Sequence, residues 1–218
     1  HMDIVEPEKT IHHVLTNKSQ IKSAIHNRFG VDVIPGSYVF HSAINPLKLK
    51  DKLNLVKNKY DFVIIDSSPT LNEEVLSTML ASDNLFIVST PDYPTLSSTL
   101  KATKLAKIRG TDISGIIINK IRNPRFELTL KEIESATEIP VIAKIPDDIT
   151  NVKALFSRIP TSIFYKKSKF AKEINNLSSA LTNKKEKRSL LSKLFPNIKR
   201  EQVNRQILKQ RFYRSRIK

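Results

Sequence analysis

The sequence predicts an α/β fold built on a mainly parallel sheet, and two patterns support this prediction. Short runs rich in β-branched residues alternate along the chain with segments whose apolar residues recur at helical spacing. Three of the short runs, at 62–65, 85–88 and 116–118, are almost entirely apolar, as expected of parallel strands that are covered on both faces. Strand, helix and strand in repeated order then imply right-handed crossovers between parallel neighbours.

The predicted elements follow this alternation from the amino end. Residues 9–29 are predicted to form one or two helices, because their apolar residues share a face, and no strand precedes them. The expected strands are 31–35, 62–65, 85–88, 116–118 and 141–145. The expected helices are 46–58, 71–81, 96–108, 128–136, 147–156 and 168–181.

Composition and charge divide the chain into a body and a tail. The 218 residues are 39% hydrophobic, enough for one sizeable core, and they contain no Cys, which excludes disulfides and thiolate metal sites. Residues 182–218 hold thirteen Lys or Arg and two acidic residues, so +11 of the total charge of +16 lies there. We therefore expect an α/β domain at 1–181, a basic helical tail at 182–218, and an anionic partner, either phospholipid or nucleic acid.

Asp66 follows the apolar run at 62–65 and precedes a turn of small residues. At the carboxyl edge of a parallel sheet, such a carboxylate can hold Mg²⁺ directly or through water. Asp66 can equally cap the following turn or helix. The pattern leaves both roles open.

Two later strands also end on polar residues. Asn119 ends the run at 116–118, and its amide can read a purine edge or simply serve as a turn residue. The run at 141–145 continues into Pro146, Asp147 and Asp148, of which at least one carboxylate is expected to cap the next helix.

In order and spacing, these segments resemble the MinD/ParA family of deviant Walker-type ATPases, and archaeal and bacterial MinD most closely. The run at 61–71 is similar to the segment joining the magnesium-site strand to the second switch, and 90–99 is similar to the turn that opens the next helix. The run at 116–120 resembles the strand with the adenine-side Asn, and 145–148 resembles the Ile-Pro-Glu-Asp turn. The resemblance extends over about residues 8–181.

The resemblance implies a three-layer P-loop NTPase-like sandwich, incomplete at its amino end, with ATP and Mg²⁺ as ligands. Asp66 would lie near the magnesium and the γ-phosphate. The base pocket would be lined by Asn119, Pro146 and Asp147. The switch that senses hydrolysis would include Ser67, Ser68 and Pro69.

One part of the family pattern is missing. Members of the family open with a strand, a Gly-rich loop containing two lysines, and a helix, and that loop wraps the phosphates with backbone N–H groups. The chain has only four glycines, and no Lys-Gly-Gly or Gly-Lys-Thr occurs in it. We therefore expect that the chain alone does not hydrolyse ATP. A rearranged pseudo-ATPase, a loop carried by a second polypeptide, and a truncation remain open as explanations.

The tail contains a predicted amphipathic helix that resembles the membrane-targeting helix of MinD. Its apolar face is formed by Leu190, Leu191, Leu194 and Phe195. The basic residues around that face include Lys187, Arg188 and Lys193. A basic amphipathic helix of this kind lies in an anionic membrane surface, although packing on its own domain and a solvated tail remain alternatives.

The leading expectation is a cytoplasmic positioning or scaffolding protein, peripheral to the inner face of the membrane. Its partners would be the anionic membrane and either a second copy or a loop-bearing chain, and ATP would matter only with that loop. One alternative is a nucleic-acid-binding partition protein, since Arg211 and Arg214 flank two aromatic residues. Another is an ATPase subunit completed in trans.

Overall fold

The computed structural model of the protein describes residues 2–37, 45, 47–68, 71–123, 125–182 and 201–216. The chain divides into two compact units. The first comprises His1–Asp83 and Ala106–Thr111, and the second comprises Asn84–Leu105 and Asp112–Lys218.

The first unit is mainly helical. Its helices are α1 (Ile11–Leu15), α2 (Leu47–Asn54) and α3 (Glu73–Ala81), with single 3₁₀ turns at Ile21–Ala24 and Lys57–Lys59. Its strands are β1 (His26–Arg28) and β2 (Val31–Val33). A small core is formed by the buried residues Val14, Ile21, Ala24 and Val56. The predicted helices at 46–58 and 71–81 are thus present with shorter bounds.

The amino-terminal prediction is only partly right. Residues 9–29 contain α1 and one 3₁₀ turn, but their last part forms β1, which pairs antiparallel with β2. Phe29 and Gly30 both have positive φ, as a tight hairpin turn requires, and they reverse the chain between the two strands. The run at 31–35 is therefore half of a hairpin, and its assignment to the parallel sheet was wrong.

The prediction of a strand at 62–65 was also wrong. Residues 61–68 have no strand pairing. The apolar side chains are exposed, with 91% of Ile64 and 64% of Phe62 accessible to solvent. A strand is defined by hydrogen bonds to a neighbour, and no part of the chain that the structure describes pairs with this segment. An apolar sequence alone therefore did not produce a strand.

The second unit carries the parallel sheet, with strand order β3-β4-β5. The strands are β3 (Leu85–Ser89), β4 (Ile113–Ile121) and β5 (Val141–Pro146), and both pairs are parallel. Ile116, Ile118 and Val141 are fully buried. The predicted α/β class and the last three predicted strands are confirmed.

Helices alternate with these strands. They are α4 (Tyr93–Ile108), α5 (Leu130–Thr137), α6 (Ile149–Phe156), α7 (Thr161–Phe164), α8 (Lys169–Thr182) and α9 (Glu201–Arg216). The predictions at 96–108, 128–136, 147–156 and 168–181 correspond to α4, α5, α6 and α8, whereas α7 was not predicted. The proposed boundary between residues 181 and 182 stays a prediction.

Candidate functional site

The carboxyl ends of β4 and β5 lie side by side and form the candidate site. Ile121 is paired with Pro146, and the Asp147 N–H donates to the Ile121 carbonyl oxygen at 3.0 Å. This register places residues 119–122 beside residues 146–148. Three residues expected at the base pocket, Asn119, Pro146 and Asp147, are thus brought to one edge of the sheet.

Asn119 is half-buried at this edge and is locally fixed. Its Oδ1 accepts a hydrogen bond from the Lys120 N–H at 2.9 Å. Lys120 has a φ of +56°, a left-handed conformation that is uncommon for a residue other than glycine. The amide nitrogen of Asn119 donates to none of the described residues.

Asp147 is held by Arg122, a residue that the sequence analysis missed. The Arg122 Nε lies 2.5 Å from Asp147 Oδ2, and this hydrogen bond raises the pKa of the guanidinium. The Arg122 N–H also donates to Glu127 Oε1 at 2.7 Å. A basic residue directly after β4, across from a carboxylate directly after β5, is the signal that could have revealed the pair.

Asp148 has a structural role as the N-cap of α6. Its Oδ1 accepts from the Thr150 N–H at 3.0 Å and from the Thr150 hydroxyl at 2.7 Å. Its Oδ2 accepts from the Phe170 N–H at 3.2 Å. These bonds, chiefly those from Thr150, lower the pKa of Asp148. The expectation that one of the two carboxylates caps the helix is confirmed for Asp148.

The end of β3 forms a hydroxyl-rich turn near the start of α4. The Thr99 hydroxyl donates to the Ser89 hydroxyl at 2.8 Å, and Asp92 Oδ1 accepts from the Thr95 N–H at 2.8 Å. Asp92 also accepts from the Thr90 hydroxyl, the bond that contributes most to its lowered pKa. The turn that resembles the family segment at 90–99 thus opens a helix, as expected.

Asp66, Ser67 and Ser68 lie in the unpaired segment of the first unit, and Pro69 lies outside the described residues. Asp66 is exposed. It does not cap α3, because Asn72 does so, accepting from the N–H groups of Glu74 and Val75 at 3.1 and 3.2 Å. Within the described ranges no three His, Asp or Glu residues cluster to hold a metal ion. A single carboxylate still suits Mg²⁺, which keeps several waters and binds substrate phosphates.

The glycines do not form a phosphate cradle. Gly30 lies in the hairpin turn, Gly36 follows β2, Gly110 follows α4, and Gly115 lies inside β4. Gly30 joins two strands, Gly115 lies within a strand and Gly110 follows a helix, so none of these three begins a strand-to-helix phosphate loop.

Most of the predicted membrane-binding residues fall outside the described part of the chain. These are Lys187, Arg188, Leu190, Leu191, Lys193, Leu194 and Phe195. Arg211 and Arg214 are described and are exposed on α9. No helix in the described ranges is both long enough and apolar enough to cross a membrane.

Comparisons with known proteins agree with this architecture. A family model described as AAA domain matches residues 1–110. An uncharacterized ATP-binding protein of Methanocaldococcus jannaschii is 32% identical over 199 residues, which cover 87% of this chain and 75% of that protein.

Two solved structures have a similar fold. The septum site-determining protein MinD from Pyrococcus horikoshii, complexed with Mg-ADP, has a TM-score of 0.74 at 25% identity, over 86% of this chain and 80% of that chain. The cell division ATPase MinD of Pyrococcus furiosus has a TM-score of 0.69 at 27% identity, over 81% of this chain and 79% of that chain. The resemblance found in the sequence is confirmed, and the chain belongs to the MinD/ParA family of ATPases.

Proposed function

We propose that the chain is a MinD/ParA-type positioning or scaffolding protein that attaches to the inner surface of the membrane and binds ATP only when a phosphate-binding loop is supplied from elsewhere. The observation that carries the nucleotide part is the register of β4 and β5, which brings Asn119, Pro146 and Asp147 to one edge. In open α/β sheets, ligands bind outside the carboxyl ends of the strands, and this edge is such a place.

Each residue at the edge has a distinct role in the proposal. The amide nitrogen of Asn119 donates to an acceptor on the purine edge, while its oxygen is occupied by Lys120. Pro146 offers a half-buried apolar surface to the face of the base. Arg122 fixes the Asp147 carboxylate and balances its charge. Away from this edge, in the first unit, Asp66 would supply a carboxylate for Mg²⁺.

In this proposal, the phosphate-binding loop comes from outside these 218 residues. In the first unit, the unpaired segment 62–68 lines an open groove of about 1430 Å³ together with residues of α1, α2 and α3. Apolar side chains such as Phe62 and Ile64 are exposed in this segment. A strand that precedes the loop would cover these side chains and give the segment a hydrogen-bonding neighbour. The loop arrives on a longer form of the chain or on a second polypeptide.

Membrane attachment is assigned to the amphipathic segment at 190–195. Its four apolar side chains would enter the boundary between headgroups and acyl chains, and the basic residues around them would contact anionic headgroups. Each Lys or Arg near such a surface contributes about 1 kcal/mol. The chain would then be cytoplasmic and peripheral to the membrane, and a second copy of itself is the expected partner.

Sedimentation with anionic vesicles tests this attachment. We expect Leu194→Glu to weaken binding at least tenfold, because it places a charge on the apolar face. Leu55→Glu is the matched control, since it makes the same charge change at a side chain that is already 67% exposed in the first unit. Equal binding of the two variants would refute attachment by this segment.

A further inference from the structure

A second apolar surface lies in the part of the chain that the structure describes, on α6 and α7. Phe156 is 86% exposed and Ile149 is 67% exposed. The other large hydrophobic residues exposed on these two helices are Val152, Leu155, Ile163 and Phe164. These six residues are called the α6–α7 patch below.

The patch follows from how α6 is packed. Ile149, Val152 and Phe156 recur at helical spacing on one side of α6, whereas Ala154, which is 2% exposed, faces the core. α7 begins after a short turn and packs against α6. The small side chain of Ala154 is therefore the buried one on α6, and the large apolar side chains are left outside.

The stretch of sequence that carries the patch is basic. Residues 149–172 contain six Lys or Arg and no Asp or Glu. All six are exposed, namely Lys153, Arg158, Lys166, Lys167, Lys169 and Lys172. The carboxylates just before this stretch are occupied, since Asp147 pairs with Arg122 and Asp148 caps α6. A partner that covers the patch must therefore be apolar at its centre and negative around it.

We propose that the α6–α7 patch binds an anionic lipid surface. Such a surface offers an apolar layer for Phe156 and Ile149 and negative headgroups for the lysines, and it needs no matching shape. Lysine stems also extend along apolar surface while the ammonium groups remain among the headgroups. Nucleic acid would satisfy the charge but would leave the aliphatic side chains in contact with phosphates.

This contact is separate from the segment at 190–195. It rests on described exposure and charge, so it stands whether or not the tail binds membrane. When the tail and the patch of one molecule bind the same vesicle, the second binding event is intramolecular. The combined affinity for the vesicle then exceeds that of either contact alone. The patch therefore predicts residual vesicle binding in Leu194→Glu.

Vesicle flotation of the full chain tests the proposal, with phosphatidylcholine vesicles that either contain 30% phosphatidylglycerol or lack it. We expect Phe156→Ser to weaken binding to the anionic vesicles about tenfold or more, in the unchanged chain and in Leu194→Glu. The matched control is Phe126→Ser, because Phe126 is 87% exposed but lies in the loop between β4 and α5. Since both side chains are exposed, neither variant should change the thermal unfolding midpoint.

Three outcomes would overturn the proposal. Equal vesicle binding by Phe156→Ser and Phe126→Ser would show that the patch does not contact lipid. Sedimentation velocity could show that Phe156→Ser converts a dimer to a monomer while vesicle binding is retained. The patch would then be an interface between copies of the chain. If Phe156→Ser lost binding to a single-stranded oligonucleotide but kept vesicle binding, the patch would be assigned to nucleic acid.

Discussion

Replacing Asp148 by Ala tests how the carboxyl edge is connected to the helices behind it. The carboxylate accepts three hydrogen bonds, two from Thr150 and one from the Phe170 N–H. The two bonds from Thr150 cap α6. The bond from the Phe170 N–H ties the first turn of α8 to the start of α6. One side chain thus fixes the beginnings of two helices.

The expected loss follows from these bonds. Removal of an N-cap costs about 1 kcal/mol, within a range of about 0.5–2. The bond from the Phe170 N–H adds about 1 kcal/mol, because typical intramolecular hydrogen bonds contribute about 0.5–1.5. We therefore expect Asp148→Ala to lower the free energy of unfolding by about 2 kcal/mol at pH 7. Asp148→Asn should lose much less, since Asn is as good an N-cap as Asp.

The same residue predicts a pH dependence of stability. Its pKa is lowered in the folded state, so its contribution is fully present above the unfolded-state value of 3.8. That contribution is lost as the pH falls through the folded-state pKa. The difference in stability between the unchanged chain and Asp148→Ala should therefore shrink in acid.

Urea denaturation followed by far-ultraviolet circular dichroism measures both effects. The experiment compares the unchanged chain, Asp148→Ala and Asp148→Asn at pH 7 and in acid. A loss below about 0.5 kcal/mol for Asp148→Ala at pH 7 would refute the reasoning, because it lies at the bottom of the range for a single cap.

Three further predictions concern stability, and urea denaturation measures each of them. Gly115→Ala should lower the free energy of unfolding by about 1–3 kcal/mol, because the added Cβ would lie 2.5 Å from a side-chain atom of Ile142. An unchanged urea midpoint would contradict the tight packing of β4 on β5. Ile133→Ala should lower the free energy of unfolding by about 2–5 kcal/mol, since the Ile133 side chain is 1% exposed. A loss under about 1 kcal/mol would mean that α5 is not packed on the core. Asn72→Ala should cost about 1 kcal/mol by removing the cap of α3, whereas Asn72→Asp should be nearly neutral.

The sequence predicted the second unit better than the first. The apolar runs at 116–118 and 141–145 became buried parallel strands because β4 has a partner on each side and β5 pairs with it. The equally apolar run at 62–65 has no partner in the described part of the chain, and Phe62, Val63 and Ile64 are exposed. Apolar composition predicts that a segment favours burial, but pairing depends on which other strand is present.

The site shows the same limit at the level of single side chains. The sequence pattern placed Asn119, Pro146 and Asp147 at strand ends, and the resemblance to the MinD/ParA family assigned them to a base pocket. The sequence could not show which of Asp147 and Asp148 caps the helix, since both follow Pro146 and both can serve as an N-cap. The structure identifies Arg122 as the partner of Asp147 and shows that Phe156 is exposed on α6.

The central claim is that the edge at Asn119 is the base end of a nucleotide site completed by a loop outside these residues. The most direct measurement is calorimetric titration with Mg-ATP of a fusion that carries the family's strand, Gly-rich loop and helix before Asp3. We predict saturable binding by the fusion, none by the 218-residue chain, and about tenfold weaker binding when the fusion carries Asn119→Ala. Saturable binding of Mg-ATP by the 218-residue chain alone would contradict the account. So would an unchanged affinity for Mg-ATP when the fusion carries Asn119→Ala.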